Sequence, residues 1–226
     1  MDPRITRCTS AAAVMLMLGA CSTLPRPKDA VPRPAPASAA ASVEDLAAAI
    51  AADAQRSDTE SDSKVREQLA AHAGADAEQC LQLAPQAAAC LYYHGVALGL
   101  EARAHPLRAN DLLKNMLDSL TAAEAADPGY DNAGPERVKA MVLVRAPGWP
   151  LGPGDPDAGL AAARRAVQLQ PQHPPNQLAL AEALSKTGDS SGAREAYRRA
   201  RDLAQALPPS ADRDDWLKQA DQALRH

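Results

Sequence analysis

The chain has 226 residues, a formal net charge of −4 and 46% apolar residues, with 52 alanines, two Trp, four Tyr and no Phe. So much small and so little aromatic side chain cannot supply the β-branched, aromatic-rich strands of a sandwich or barrel, and the chain is expected to be all-α. An acidic balance, with a pI near 5.7, also lacks the basic face on which nucleic-acid binding depends.

Residues 1–20 read as a secretory signal peptide. Arg4 and Arg7 precede an apolar stretch, Ala11–Leu18, that is too short to span a bilayer. It runs into Leu18-Gly19-Ala20-Cys21, which resembles a bacterial lipobox. The resemblance implies cleavage before Cys21 and acylation of its thiol, so the protein is tethered to a membrane rather than spanning one. The next residue is Ser22 and not Asp; by resemblance to enterobacterial lipoproteins this points to the periplasmic face of the outer membrane, with the inner membrane as the alternative. Residues 21–42 form the lipidated Cys and a linker rich in Pro, Ala and Ser, including Pro25, Pro27, Pro32, Pro34 and Pro36. As polyproline II, at ~3.1 Å per residue, such a linker spans up to roughly 60 Å.

Cys80 and Cys90 lie symmetrically about Pro85, at the turn expected between two helices. An exported compartment permits a disulfide there, and two small buried thiols at a helix contact are the alternative. His94 has no companions at zinc-ligand spacing, so neither a metal site nor a cofactor is expected.

Shifted by 34 residues, the sequence matches itself: Gly154, Asp155, Ala162, Arg164, Arg165, Ala166 and Leu169 align with Gly188, Asp189, Ala196, Arg198, Arg199, Ala200 and Leu203. This period, with a Gly-Asp turn between amphipathic helices, resembles the tetratricopeptide (TPR) repeat. In the last copy Ala181, Ala193 and Ala200 suit close helix contacts, while Leu180, Leu184 and Tyr197 fill the gaps between pairs. A small residue five positions before Pro recurs at Cys80, Ala123 and Ala166. The expected fold is therefore a TPR-like α-solenoid over 43–226, with helical pairs at 43–84, 87–126, 133–170 and 174–206 and a capping helix at 211–224. The first pair has the weakest pattern, interrupted at Ser57–Ser63 and Gly74. Extra residues are expected in a long helix through 91–105 and in the loop 146–153.

No catalytic constellation is visible. Gly188-Asp189-Ser190-Ser191-Gly192 falls on a repeat turn and not in a β-barrel. Residues 152–159 lack the Lys-Ser/Thr of a P-loop, and residues 127–134 lack the terminal Glu of a calcium loop. The chain reads as a non-enzyme. Arg194, Arg198, Arg199 and Arg201 read as a solvated helix face, with Glu195 and Arg199 as an i,i+4 pair. The Pro- and Gly-rich stretch 130–156 exceeds what a repeat requires. Trp149, Arg145, Tyr130 and Arg137 are its candidate partner-binding residues. The alternative for Trp149 is that it folds back to plug the enlarged repeat.

Tyr92-Tyr93-His94-Gly95, Asn132-Ala133-Gly134-Pro135-Glu136-Arg137, Ala146-Pro147-Gly148-Trp149-Pro150 with Gly154-Asp155, and Pro174-Pro175-Asn176-Gln177-Leu178-Ala179 carry a narrower resemblance over roughly residues 75–206. It is to the T-component lipoproteins of TRAP transporters. That resemblance implies a scaffold contacting a periplasmic solute-binding protein, as a homo-oligomer whose concave side holds a ligand or partner. The short, Ala-rich first pair departs from the family and puts its oligomer contacts in doubt. Two functions stand as expectations: a membrane-anchored TPR adaptor serving a TRAP-type uptake system, or a structural assembly lipoprotein for outer-membrane or pilus machinery.

Overall fold

The computed structural model describes residues 41–225; the expected signal peptide, Cys21 and nearly all of the linker lie outside the described residues. Nine α-helices follow in order among them: α1 (Val43–Thr59), α2 (Ser63–Leu83), α3 (Ala88–Ala104), α4 (Ala109–Ala126), α5 (Tyr130–Arg145), α6 (Pro156–Leu169), α7 (Pro174–Lys186), α8 (Ser190–Gln205) and α9 (Ala211–Leu224). A 3₁₀ turn, Pro106–Arg108, joins α3 to α4. None of these helices is long and apolar enough to cross a membrane.

The helix ends follow from short polar caps and from Pro. Ser42 and Asp45 form a reciprocal capping box at α1, and Asp62, Asp155, Asp189 and Ser210 accept backbone N–H bonds at the starts of α2, α6, α8 and α9. Pro156 and Pro174 open α6 and α7, where a missing N–H costs nothing. Between α7 and α8 the chain reverses through Gly188 at φ 92°, a left-handed conformation that glycine adopts without strain.

Consecutive helices pack antiparallel as pairs, α1/α2, α3/α4, α5/α6 and α7/α8, with α9 laid on the last pair. The odd-numbered helices also touch one another in series, so they form the inner layer and the even-numbered helices the outer one. Alanine makes this close stacking work. Ala73, Ala77, Ala123, Ala163, Ala166, Ala181, Ala183 and Ala204 have no exposed surface, and Ile50 packs against Ala73 and Ala77 and Leu120 against Ala123. At the α5/α6 crossing even alanine is too large at Gly159, where an added Cβ would stand 2.7 Å from Val144 Cγ2. Cys80 and Cys90 are joined as a disulfide between α2 and α3. Both are fully buried against Leu46, Leu81, Ala84 and Ala87, so bridging and burial coincide at one helix turn.

Two local expectations are corrected. Arg198, not Arg199, pairs with Glu195, at 3.2 Å and i,i+3 spacing, while Arg199 reaches Gln172 on the preceding turn. The helix expected from residue 133 is preceded by something a repeat pattern does not contain. Asp131, Asn132 and Ala133 are all left-handed, at φ 47°, 55° and 64°. Right-handed helix resumes only at Gly134-Pro135.

Candidate functional site: a groove lined by every inner helix

Each inner helix turns one face toward a common concavity of about 1120 Å³. α1 supplies Ala51, Ala54 and Gln55, α3 supplies Tyr92, Tyr93 and Val96, and α5 supplies Arg137, Met141 and Arg145 at i, i+4 and i+8. From α7 come Pro175, Leu178, Ala179 and Glu182; Tyr197 reaches in from α8, and Trp216, Gln219 and Gln222 from α9. First and last helices thus face the same space.

One wall is built on the left-handed turn. For L-residues each such conformation costs roughly 1–2 kcal/mol, so three in a row persist only if the surroundings hold them. Asn176, fully buried at the start of α7, is the holder. Its amide donates to Asn132 O at 3.0 Å, Gln170 O at 3.0 Å and Ala166 O at 3.2 Å, and its Oδ1 accepts from Arg137 at 3.1 Å. Arg137 donates further to the carbonyls of Asp131 and Asn132 at 3.1 and 3.2 Å, and to Asp131 Oδ2 at 2.7 Å. The turn thereby aims Asp131 at Tyr92, whose hydroxyl donates to the same Oδ2 at 2.9 Å. No side chain fits at Gly134, where a Cβ would lie 2.8 Å from Asp131 Oδ2.

Aromatic rings continue this wall. Tyr92 meets Tyr93 and Tyr130 edge-on, with centroids 5.1 and 5.4 Å apart, and His173 meets Trp216 in the same way at 5.7 Å. Burial, reinforced by the Asp131 charge, raises the Tyr92 phenol above its ordinary range; burial likewise pushes Tyr130 up to about 12. His173 is pushed down to about 4, chiefly by burial and then by the Arg137 cation, so its ring is neutral near pH 7. Further along, Arg145 Nε and Nη2 clasp both oxygens of Glu182 at 2.7 and 2.6 Å. That bond holds the Arg145 guanidinium more firmly protonated still.

Of the four candidate partner-binding residues, Arg137 and Arg145 line the groove. Tyr130 packs behind Tyr92 instead, and Trp149 stands outside. Trp149 is 91% exposed and its neighbour Leu151 76%, which overturns the reading of Trp149 as a core plug. The enlarged repeat is filled by its own loop backbone: Gly154 N donates to Pro147 O at 2.8 Å and Asp155 N to Leu143 O at 2.9 Å. Added Cβ atoms at Gly152 and Gly154 would run into the carbonyls of Pro147 and Ala146. Arg145 is committed to Glu182 rather than to the indole.

Asp131, His173, Asn176, Glu182 and Trp216 carry no site role in the sequence reading. The signal for two of them was adjacent: Asn176 stands in the Pro174–Ala179 motif, and Asp131 directly precedes the Asn132–Arg137 motif. Among the described residues no group of three or more His, Cys, Asp or Glu is gathered as metal ligands.

No protein-family model matches the chain, and no curated protein matches it. Among solved structures it is similar to TTC0263, a thermophilic TPR protein in Thermus thermophilus, with a TM-score of 0.56 and 19% identity over 81% of this chain and 93% of that one. The described part of the chain has a TPR-like, all-α solenoid fold.

Proposed function

We propose that the protein is a membrane-tethered adaptor that holds a protein partner in its concave groove. The observation that carries this reading is the groove itself, in which every inner helix contributes a face and a strained turn is locked in place by buried hydrogen bonds. Backbone strain of this kind clusters at functional sites, and concave repeat surfaces are the binding surfaces of solenoids. The lipobox-like Leu18–Cys21 supports a lipid anchor at Cys21, and Ser22 supports the periplasmic face of the outer membrane.

The finer reading is an accessory component of a TRAP-type uptake system that contacts a solute-binding protein. Its support is the sequence resemblance, whose Tyr92–Gly95, Asn132–Arg137 and Pro174–Ala179 motifs supply the groove wall, the turn and the clamp. Trp149, on a hydrogen-bonded loop beyond the end of α5, offers a second contact for the same partner. The test is a photo-crosslinking residue placed at Tyr93 in cells, followed by purification of the lipid-anchored chain. A captured solute-binding protein supports the uptake reading, an outer-membrane or pilus component supports the assembly reading, and no captured protein refutes the adaptor.

A further inference from the structure

The groove's charged groups are balanced and largely committed to one another. Three arginines and three carboxylates line it. Arg145 spends its two-pronged edge on both oxygens of Glu182. Arg137 is almost enclosed, its side chain 11% exposed, and it is bonded to Asp131, to two carbonyls and to Asn176. The remaining pair, Asp212 and Arg225, stands on or just beyond α9 and is itself of opposite sign. His173 adds no charge near pH 7.

A guanidinium already forked onto a carboxylate keeps only its outer Nη edge for a second one, and its charge is already offset, so a further carboxylate gains little there. What faces the open space instead is groups that both donate and accept, the hydroxyl of Tyr93 and the amides of Gln55, Gln219 and Gln222, set among the apolar Met141 and Leu178. A polypeptide main chain alternates N–H donors with C=O acceptors and carries no net charge, which matches that lining.

We propose that the groove binds an extended, uncharged stretch of its partner's polypeptide, held by main-chain hydrogen bonds and apolar side chains, and that it does not capture acidic segments or a chain-terminal carboxylate. This inference rests on the adaptor reading and names the partner's chemistry. With Arg137 and Arg145 closed internally and Arg225 offset in sign by Asp212, affinity is nearly independent of salt, because the lining carries no net charge to screen.

The test uses the full chain and four fluorescent peptides of equal length: uncharged with both ends blocked, the same with a free C-terminal carboxylate, acidic, and basic. The blocked uncharged peptide is expected to bind about tenfold or more tighter than the acidic one, a difference of about 1.4 kcal/mol or more. Its affinity is expected to change less than about threefold between low and high salt. Glu182→Gln, which opens the fork of Arg145, is expected to gain about tenfold for the acidic peptide, a gain that a misfolded variant cannot produce. Preference for the acidic or the free-carboxylate peptide, or a steep loss with salt, overturns this inference while leaving peptide binding in place. If no peptide binds but crosslinking from Tyr93 still captures a protein, this inference fails and the adaptor stands; if neither occurs, both fail.

Discussion

Asn176 is the residue on which the geometry of the groove wall depends, so Asn176→Ala is the sharpest test of how the left-handed turn is kept. The substitution removes three donated bonds and one accepted bond inside a site with no exposed surface. Each carbonyl left behind keeps one other partner. Asn132 O still accepts from Arg137, Ala166 O from Gln170 N and Gln170 O from His173 N. The loss is therefore closer to the net worth of each bond, about 1 kcal/mol, than to the penalty of an orphaned buried group. The amide has two N–H groups for its three acceptors, so one bond is shared, and the loss comes to roughly 3 kcal/mol, a large fraction of the stability of an ordinary domain. The turn contributes in the same direction, since part of its strain is released when the clamp is gone. Equilibrium urea unfolding followed by far-UV circular dichroism measures this directly, and the variant should keep its helical spectrum in water. A loss under about 1 kcal/mol would show that the turn holds itself and that Asn176 is not its clamp.

Asn132 tests the same turn from the other side: its side chain is exposed, yet Asn132→Val should cost about 1–2 kcal/mol because a β-branched residue resists φ near 55°, while Asn132→Gly should be neutral or better in the same unfolding assay. The carboxyl of Glu136, buried between α4 and α5, is raised to about 7 by burial and by its hydrogen bond to Glu124, with Lys139 opposing. Because the folded-state value lies above the ordinary one, the protonated form stabilises the fold; that stability is complete below about pH 4.5 and is lost as pH rises through about 7. Glu136→Gln should therefore flatten the fall in unfolding free energy between pH 5 and 8 by an amount on the order of 2–3 kcal/mol, and an unchanged profile would refute the assignment. Trp149→Ala should leave the melting temperature within a degree or so yet weaken partner capture by more than about 1 kcal/mol; a large loss of stability would contradict its exposure. Cys21→Ser should abolish membrane fractionation, and a variant that still sediments with membranes would refute the lipid anchor.

Much of the fold was legible because its punctuation is local. Asp155 and Asp189 cap their helices from within the self-matching segments, Pro156 and Pro174 open α6 and α7, and the small residues at close contacts recur at the repeat period. The site was less legible because its contacts join residues far apart in sequence. Arg145 and Glu182 are 37 positions apart, Tyr92 and Asp131 39, and Asn176 and Asn132 44. Each partner alone looks like an ordinary polar helix residue. Asp131-Asn132-Ala133 resembles turn chemistry, and Asn and Asp do tolerate left-handed backbone. Nothing local says that three such residues in succession, one of them a buried Ala, will be stabilised by an amide from another repeat. The plug alternative for Trp149 fails for the opposite reason: an aromatic residue in a chain so poor in them suggests a core, but here the loop's own backbone already fills that space.

Because α1 and α9 border the same concavity, the width of the groove is an accumulated quantity rather than a local one. It equals whatever the successive tilts at the α2/α3, α4/α5, α6/α7 and α8/α9 joints add up to. In a stack where each repeat touches only its neighbours, a small change of tilt at a middle joint swings one jaw relative to the other, much as a bend near the pivot moves the tips of tongs. Glu124, Glu136 and Lys139 at the α4/α5 joint are not among the residues lining the groove, yet a change of tilt there would move Gln55 relative to Trp216. Variants that alter partner affinity without altering any groove side chain should therefore concentrate at these joints, and insertions there should be tolerated far less well than insertions in the outer turns.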